Sequence, residues 1–131
     1  MSHQIINPAA LHDPVRFGYS HVADTSTGLV FIAGQYASDG DGEVTSADFA
    51  EQVEKSLANL RTALAAVDLD FSHVVQLRTY VVDHDLDKLA VIGRLIGEIW
   101  GDQPPTQTLT GVAALALPGM LFEIDAVAVR P

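Results

Sequence analysis

Pro104-Pro105-Thr106-Gln107-Thr108-Leu109-Thr110-Gly111-Val112-Ala113-Ala114-Leu115 and, from residue 121, Leu121-Phe122-Glu123-Ile124-Asp125-Ala126-Val127-Ala128-Val129 decide how this chain is read. Two successive prolines cannot continue a helix, because the ring removes the N–H and clashes with the preceding turn. The residues after them predict strands near Thr108 to Ala116 and Leu121 to Val129, with a hairpin turn around Pro118-Gly119. Alternation along the second strand puts Glu123 and Asp125 on one face. A carboxylate flanked by Phe122 and Ile124 and partly desolvated has a raised pKa and suits general acid–base work; on a solvated face the same residue is only a surface charge.

Working back towards the N-terminus, Leu86 to Trp100 reads as a helix with Leu89, Ile92, Ile96 and Ile99 facing in, stopped by the prolines. Val74 to Val82 is a strand rich in Val, Thr and Tyr, ending at Asp83-His84-Asp85. Before it, Ala50, Val53, Leu57, Leu60 and Leu64 recur at steps of three and four, and Asp48 with Glu51 caps the start of that helix. Val30 to Ala33 is a short buried strand closed by Gly34, with a turn at Asp39-Gly40-Asp41-Gly42. The order is α+β, with both helices expected on one face of a sheet.

The 131 residues suit one domain over 1–131, with no linker, repeat or low-complexity segment. No run approaches the roughly 20 apolar residues of a membrane span, and the first residues lack the layout of a signal peptide. Together with the absence of cysteine, which removes disulfides, thiolate metal sites and a cysteine nucleophile, this points to a cytoplasmic protein without membrane partners. Seventeen acidic against 7 basic residues give a net charge of -10, which argues against nucleic acid, since phosphate neutralisation needs basic side chains. The 48% apolar content beside this acidity is compatible with self-association. Asp39 to Glu43 lacks the ligand spacing of a calcium loop and reads as a turn, and Asp83-His84-Asp85 reads as a loop and helix cap. The five histidines show no ligand spacing, and no phosphate loop, nucleophile elbow or dinucleotide fingerprint occurs, so neither metal nor cofactor is expected.

The opening stretch resembles the closing signature of the reactive-intermediate deaminase family, also called the Rid or YjgF-type family. Phe17-Gly18-Tyr19-Ser20 is similar to its Gly-Pro-Tyr segment, Val30 to Gln35 to its strand ending in Ser-Gly-Gln, and Gln52 to Leu64 to its first helix. The resemblance covers roughly residues 15 to 130. It implies a chorismate-mutase-like fold, a homotrimer with a central barrel, and small-molecule clefts between neighbouring subunits. It also implies that Glu123 positions water or ligand, and that Tyr19, Gly34, Gln107 and Leu109 line the cleft.

Where the family carries an arginine that grips a substrate carboxylate, this chain has Gln107, an amide without charge. Ala33 replaces a serine, Leu109 a cysteine or small polar residue, and Gly93 an asparagine of some members. The expectation is a protein that binds a small metabolite and hydrolyses an imine, enamine or related C–N bond, without being an archetypal 2-imino-acid deaminase. The alternative, from another class, is a non-catalytic small-molecule-binding or partner-stabilising protein. A chorismate-mutase-type isomerase would need more cations near the cleft than these segments hold.

Overall fold

In the computed structural model, which describes residues 2–131, the strands are β1 (His3–Ile6), β2 (Val22–Thr25), β3 (Leu29–Gln35), β4 (Val74–Val82), β5 (Thr106–Val112) and β6 (Phe122–Val129). They form one sheet in the order β1-β2-β3-β6-β4-β5. Helices α1 (Phe49–Ala65) and α2 (Leu86–Trp100) cover one of its faces. The reason is the period-2 pattern of the strands. Val30 and Ile32 of β3, Leu77 and Val81 of β4, and Phe122, Ile124, Ala126 and Ala128 of β6 are all buried beneath Val53, Leu57, Leu60 and Leu64 of α1 and Ile92, Leu95 and Ile96 of α2. The opposite face carries Leu29, Phe31, Val75 and Val129, all exposed, with Phe31 at 45%.

Both helix starts follow their sequence signals. Asp48 accepts from the Glu51 amide at 3.0 Å and Asp85 from the Lys88 amide at 2.8 Å, so each aspartate satisfies an otherwise unpaired first-turn donor. Asp39 Oδ1 likewise accepts from the amides of Asp41 and Glu43, which makes that acidic stretch a turn.

The expected C-terminal hairpin does not form. β5 pairs parallel to β4, with α2 as the crossover between them, and β6 inserts between β3 and β4, antiparallel to both. Parallel neighbours need a long crossover, which α2 supplies. The Pro118-Gly119 segment therefore carries the chain from the edge of the sheet over β4 to its centre. Strands β1 and β2 lay outside the sequence reading: His3–Ile6 and Val22–Thr25 are too short and mixed to stand out, and pair with each other and with β3. Leu89, expected inside, is 46% exposed because its side of α2 overhangs the β5 edge instead of the core. Among the described residues no helix is long and apolar enough to cross a membrane.

Gln52 holds the long Pro118 connection in place. Its amide nitrogen donates to the carbonyls of Ser46 (2.7 Å) and Gly119 (2.8 Å), and its oxygen accepts from the Leu121 amide (2.9 Å). The side chain is fully buried. Gln52→Ala leaves three backbone groups unpaired in the interior, and is expected to cost about 3 kcal/mol in denaturant unfolding. A loss below about 0.5 kcal/mol would mean that water replaces all three bonds.

Candidate functional site

Two recesses contain the residues singled out by the sequence, and they lie on different elements. The first, of about 490 Å³, is lined by Phe17, Tyr19, Ala33, Gly34, Tyr36, Ala116, Leu117, Met120 and Glu123. Local structure aims its polar groups. The β3–β6 register shifts between Ile32 and Gln35, and such a bulge re-aims side chains. Gly34 sits in that shift with its Cα against Glu123: a Cβ there would lie 2.1 Å from Glu123 Oε1. The glycine thus gives the carboxylate room to lie over the backbone. Tyr19 enters from a 3-10 turn at Val15–Phe17 that closes on Gly18, whose φ of 87° favours glycine.

Glu123 and Asp125 share a face, as alternation requires, but not an environment. Asp125 accepts from Arg78 Nε at 2.9 Å and from the Tyr80 hydroxyl at 3.3 Å. Glu123 has no hydrogen-bond or ion-pair partner among the described residues. Burial, reinforced by the Asp125 charge, raises its carboxyl above the ordinary carboxylate range. Between the unfolded and the higher folded pKa the folded chain holds the extra proton, so this group lowers stability as pH rises through that window. Glu123→Gln is expected to melt higher than wild type at pH 8, with the gap shrinking towards pH 5. A gap that is absent or that grows on acidification would show that the carboxylate is well solvated.

The second recess, about 510 Å³, runs between α2 and the β5 edge and includes Leu89, Gly93, Ile96, Pro105, Gln107 and Leu109. Buried Thr79 donates to Gln107 Oε1 at 3.1 Å, which orients the amide and leaves its nitrogen free of partners among the described residues. The two recesses share no lining residue. Within one chain, Tyr19, Gly34 and Glu123 are therefore brought together, and Gln107 joins Leu109 and Gly93, but the two groups remain apart. Among the described residues neither lining contains a Lys, Arg or His. Arg78 is committed to Asp125, and Arg16 stacks 4.8 Å from the Phe17 ring centre and donates to the Asp41 carbonyl.

Comparison with known proteins matches this geometry to a family. The sequence model described as endoribonuclease L-PSP fits residues 11–130, nearly the whole chain. The chain belongs to the Rid family. Protein DfrA of Myxococcus xanthus is 34% identical over 113 residues, covering 85% of this chain and 84% of its own length. The human 2-iminobutanoate/2-iminopropanoate deaminase is 29% identical over 102 residues, covering 77% of this chain and 72% of its own. The solved structure of YyfB from Yersinia pestis, described as a protein of unknown function of the conserved Rid family, is 38% identical with a TM-score of 0.73, covering 98% of this chain and 99% of its own. The YjgF-like fold, a mixed sheet with two helices on one face, is thereby established.

A pair of buried histidines in this Rid chain escaped the sequence reading. His12 and His21, nine residues apart with no ligand spacing, stack edge-on at 4.9 Å between ring centres. Gln35 Nε2 lies 3.1 Å from His21 Nδ1 and 3.2 Å from the Ala33 carbonyl, and His21 Nε2 lies 2.9 Å from the His12 carbonyl. His12 reaches Ser38 through Nδ1 and the Tyr19 hydroxyl through Nε2. Burial lowers both imidazole pKa values, which favours their neutral forms. No signal short of the fold relates residues 12, 19, 21, 35 and 38; the pairing of β2 with β3 does so. Among the described residues no group of His, Cys, Asp and Glu could hold a metal ion.

Proposed function

We propose that this chain hydrolyses small imines or enamines that carry no carboxylate, in clefts formed where the Glu123 recess of one copy meets the Gln107 groove of the next in a homotrimer. The observation that carries the reading is Glu123: an unpaired carboxylate of raised pKa in a mostly apolar recess that no cation lines. Such a group takes a proton from water near neutral pH and attracts a protonated imine. In balance, one protonated ketimine and one water give one ketone and one ammonium ion. Water adds to the imine carbon as Glu123 accepts its proton, and the C=N electron pair moves to nitrogen. The carboxylic acid then returns the proton to nitrogen, the C–N bond breaks, and the carbonyl forms as the hydroxyl loses its proton to the departing ammonia.

Three observations support assembly from several copies. Gln107 and Leu109 lie in a groove separate from Glu123, the helix-free sheet face exposes apolar side chains, and the family relation favours an intersubunit site. The expected mass in solution is three times 14.0 kDa; a monomer by light scattering would remove the cleft. The net charge of -10 supports a small metabolite over RNA despite the description attached to the family model. A cytoplasmic site of action fits the same picture.

The test compares two imines made in situ: 2-iminobutanoate from an amino-acid oxidase, and the ketimine of 1-phenylethylamine from a flavin amine oxidase. Ammonia release from the second is expected to be at least about tenfold faster with the protein than in buffer, and release from the first little changed. Rapid hydrolysis of 2-iminobutanoate would mean that Gln107 suffices as an anchor. No acceleration of either, with saturable binding of the ketone, would favour the non-catalytic binding protein.

A further inference from the structure

We propose that His12 is a positioning residue that holds the Tyr19 hydroxyl as a hydrogen-bond donor to the Glu123 recess. The inference rests on reading that recess as half of the ligand site. Asn59 Nδ2, a donor only, lies 2.8 Å from the Tyr36 carbonyl, 3.2 Å from Ser38 Oγ and 3.4 Å from the Ser38 carbonyl, and its two protons go to the two nearer oxygens. Ser38 Oγ accepts there, and its own proton has one partner among the described residues, His12 Nδ1 at 3.1 Å. Nδ1 is then an acceptor. A neutral imidazole that accepts at Nδ1 carries its proton on Nε2, and Nε2 faces the Tyr19 hydroxyl. Tyr19 therefore accepts from His12, and its own O–H is left for the recess.

The neighbours hold this arrangement. His21 donates from Nε2 to the His12 carbonyl while Gln35 donates to its Nδ1, which fixes the backbone of His12. An imidazolium at position 12 would lose the bond from Ser38. The charged and titratable groups facing it are His21, Arg16, Asp13 and Asp39, and burial with the first two outweighs the two aspartates. The second tyrosine of the recess is already committed, since Tyr36 donates to the Gly42 carbonyl at 2.5 Å. Tyr19 is then the phenol whose proton is available, and it suits a ligand presenting a lone pair, the imine-derived nitrogen or the carbonyl oxygen.

Two arms test this. In the first, 15N NMR of the ring nitrogens in the intact protein at pH 7 is expected to show His12 protonated at Nε2 alone; protonation at Nδ1, or at both nitrogens, overturns the proposal whatever the protein does to imines. In the second, turnover of the 1-phenylethylamine ketimine is followed in a double-mutant cycle. His12→Ala and Tyr19→Phe are each expected to lower kcat about tenfold with KM within about twofold, and the double variant to fall no further than Tyr19→Phe. Losses that multiply would mean that His12 acts independently of Tyr19, and overturn the proposal, as would a Tyr19→Phe enzyme of full activity. Ser38→Ala, which removes the donor to Nδ1 without lining the recess, is expected to lower kcat in the same direction if His12→Ala fails to fold. Absence of wild-type turnover counts against the hydrolase reading alone, and the NMR arm still decides the positioning claim.

Discussion

Gly34→Ala is expected to reduce ketimine turnover about a hundredfold while moving the melting temperature by no more than a few degrees, because misplacing a reacting group by about 1 Å costs on this scale. The added methyl would meet Glu123 Oε1 at 2.1 Å and Cδ at 2.7 Å, too close for non-bonded atoms. What gives way is the far end of a flexible side chain and not the backbone, so the sheet survives and the carboxylate swings out. The combination with Glu123→Gln then separates cause from accident. If the glycine matters only through Glu123, Gly34→Ala adds nothing further in the Glu123→Gln background. Full activity in Gly34→Ala would mean that the orientation of Glu123 over Gly34 is irrelevant to the chemistry.

Gln107→Arg is the complementary gain. A guanidinium at the groove adds a bidentate partner for an ionised carboxylate, worth roughly 1.5 to 3 kcal/mol, so 2-iminobutanoate hydrolysis is expected to rise about ten- to a hundredfold over wild type. Thr79, which now donates to the Gln107 carbonyl, loses that bond but keeps the Thr108 carbonyl at 3.4 Å as an acceptor. Turnover of the ketimine, which has no carboxylate, is expected to stay level or fall. Equal gains on both substrates would contradict the assignment of Gln107 to carboxylate discrimination.

The contrast between what the sequence declares and what it conceals has a physical basis. Helices α1 and α2 and strand β4 are legible because each is long enough for its hydrophobic period to repeat, and because Asp48 and Asp85 cap locally. The placement of β5 and β6 is not, because two strands joined by a Pro-Gly segment look like a hairpin; instead α2 carries the chain across so that β5 pairs parallel to β4, and β6 pairs with β3 and β4, with Gln52 holding the connection 67 residues away at Gly119. Glu123 announces itself by alternation, and Gly34 by family resemblance. The reason Gly34 must be a glycine appears only with the side chain lying across it. His12 and His21 have no local signature at all, since their meaning lies in contacts with Ser38, Tyr19 and Gln35.

Subunit complementation tests most directly whether the site is built from two copies. Glu123→Gln disables the recess, and Gly93→Trp fills the groove on an exposed helix face where an added Cβ meets no neighbour within 4 Å. Each variant alone is expected to be inactive on the ketimine. After the two are unfolded together in equal amounts and refolded, random assembly places an intact recess against an intact groove at about one interface in four, so about a quarter of wild-type turnover is expected. Mixed oligomers that form and stay inactive would contradict a cleft shared between copies, and so would a fully active Gly93→Trp variant, which would return the chemistry to the Glu123 recess of a single chain.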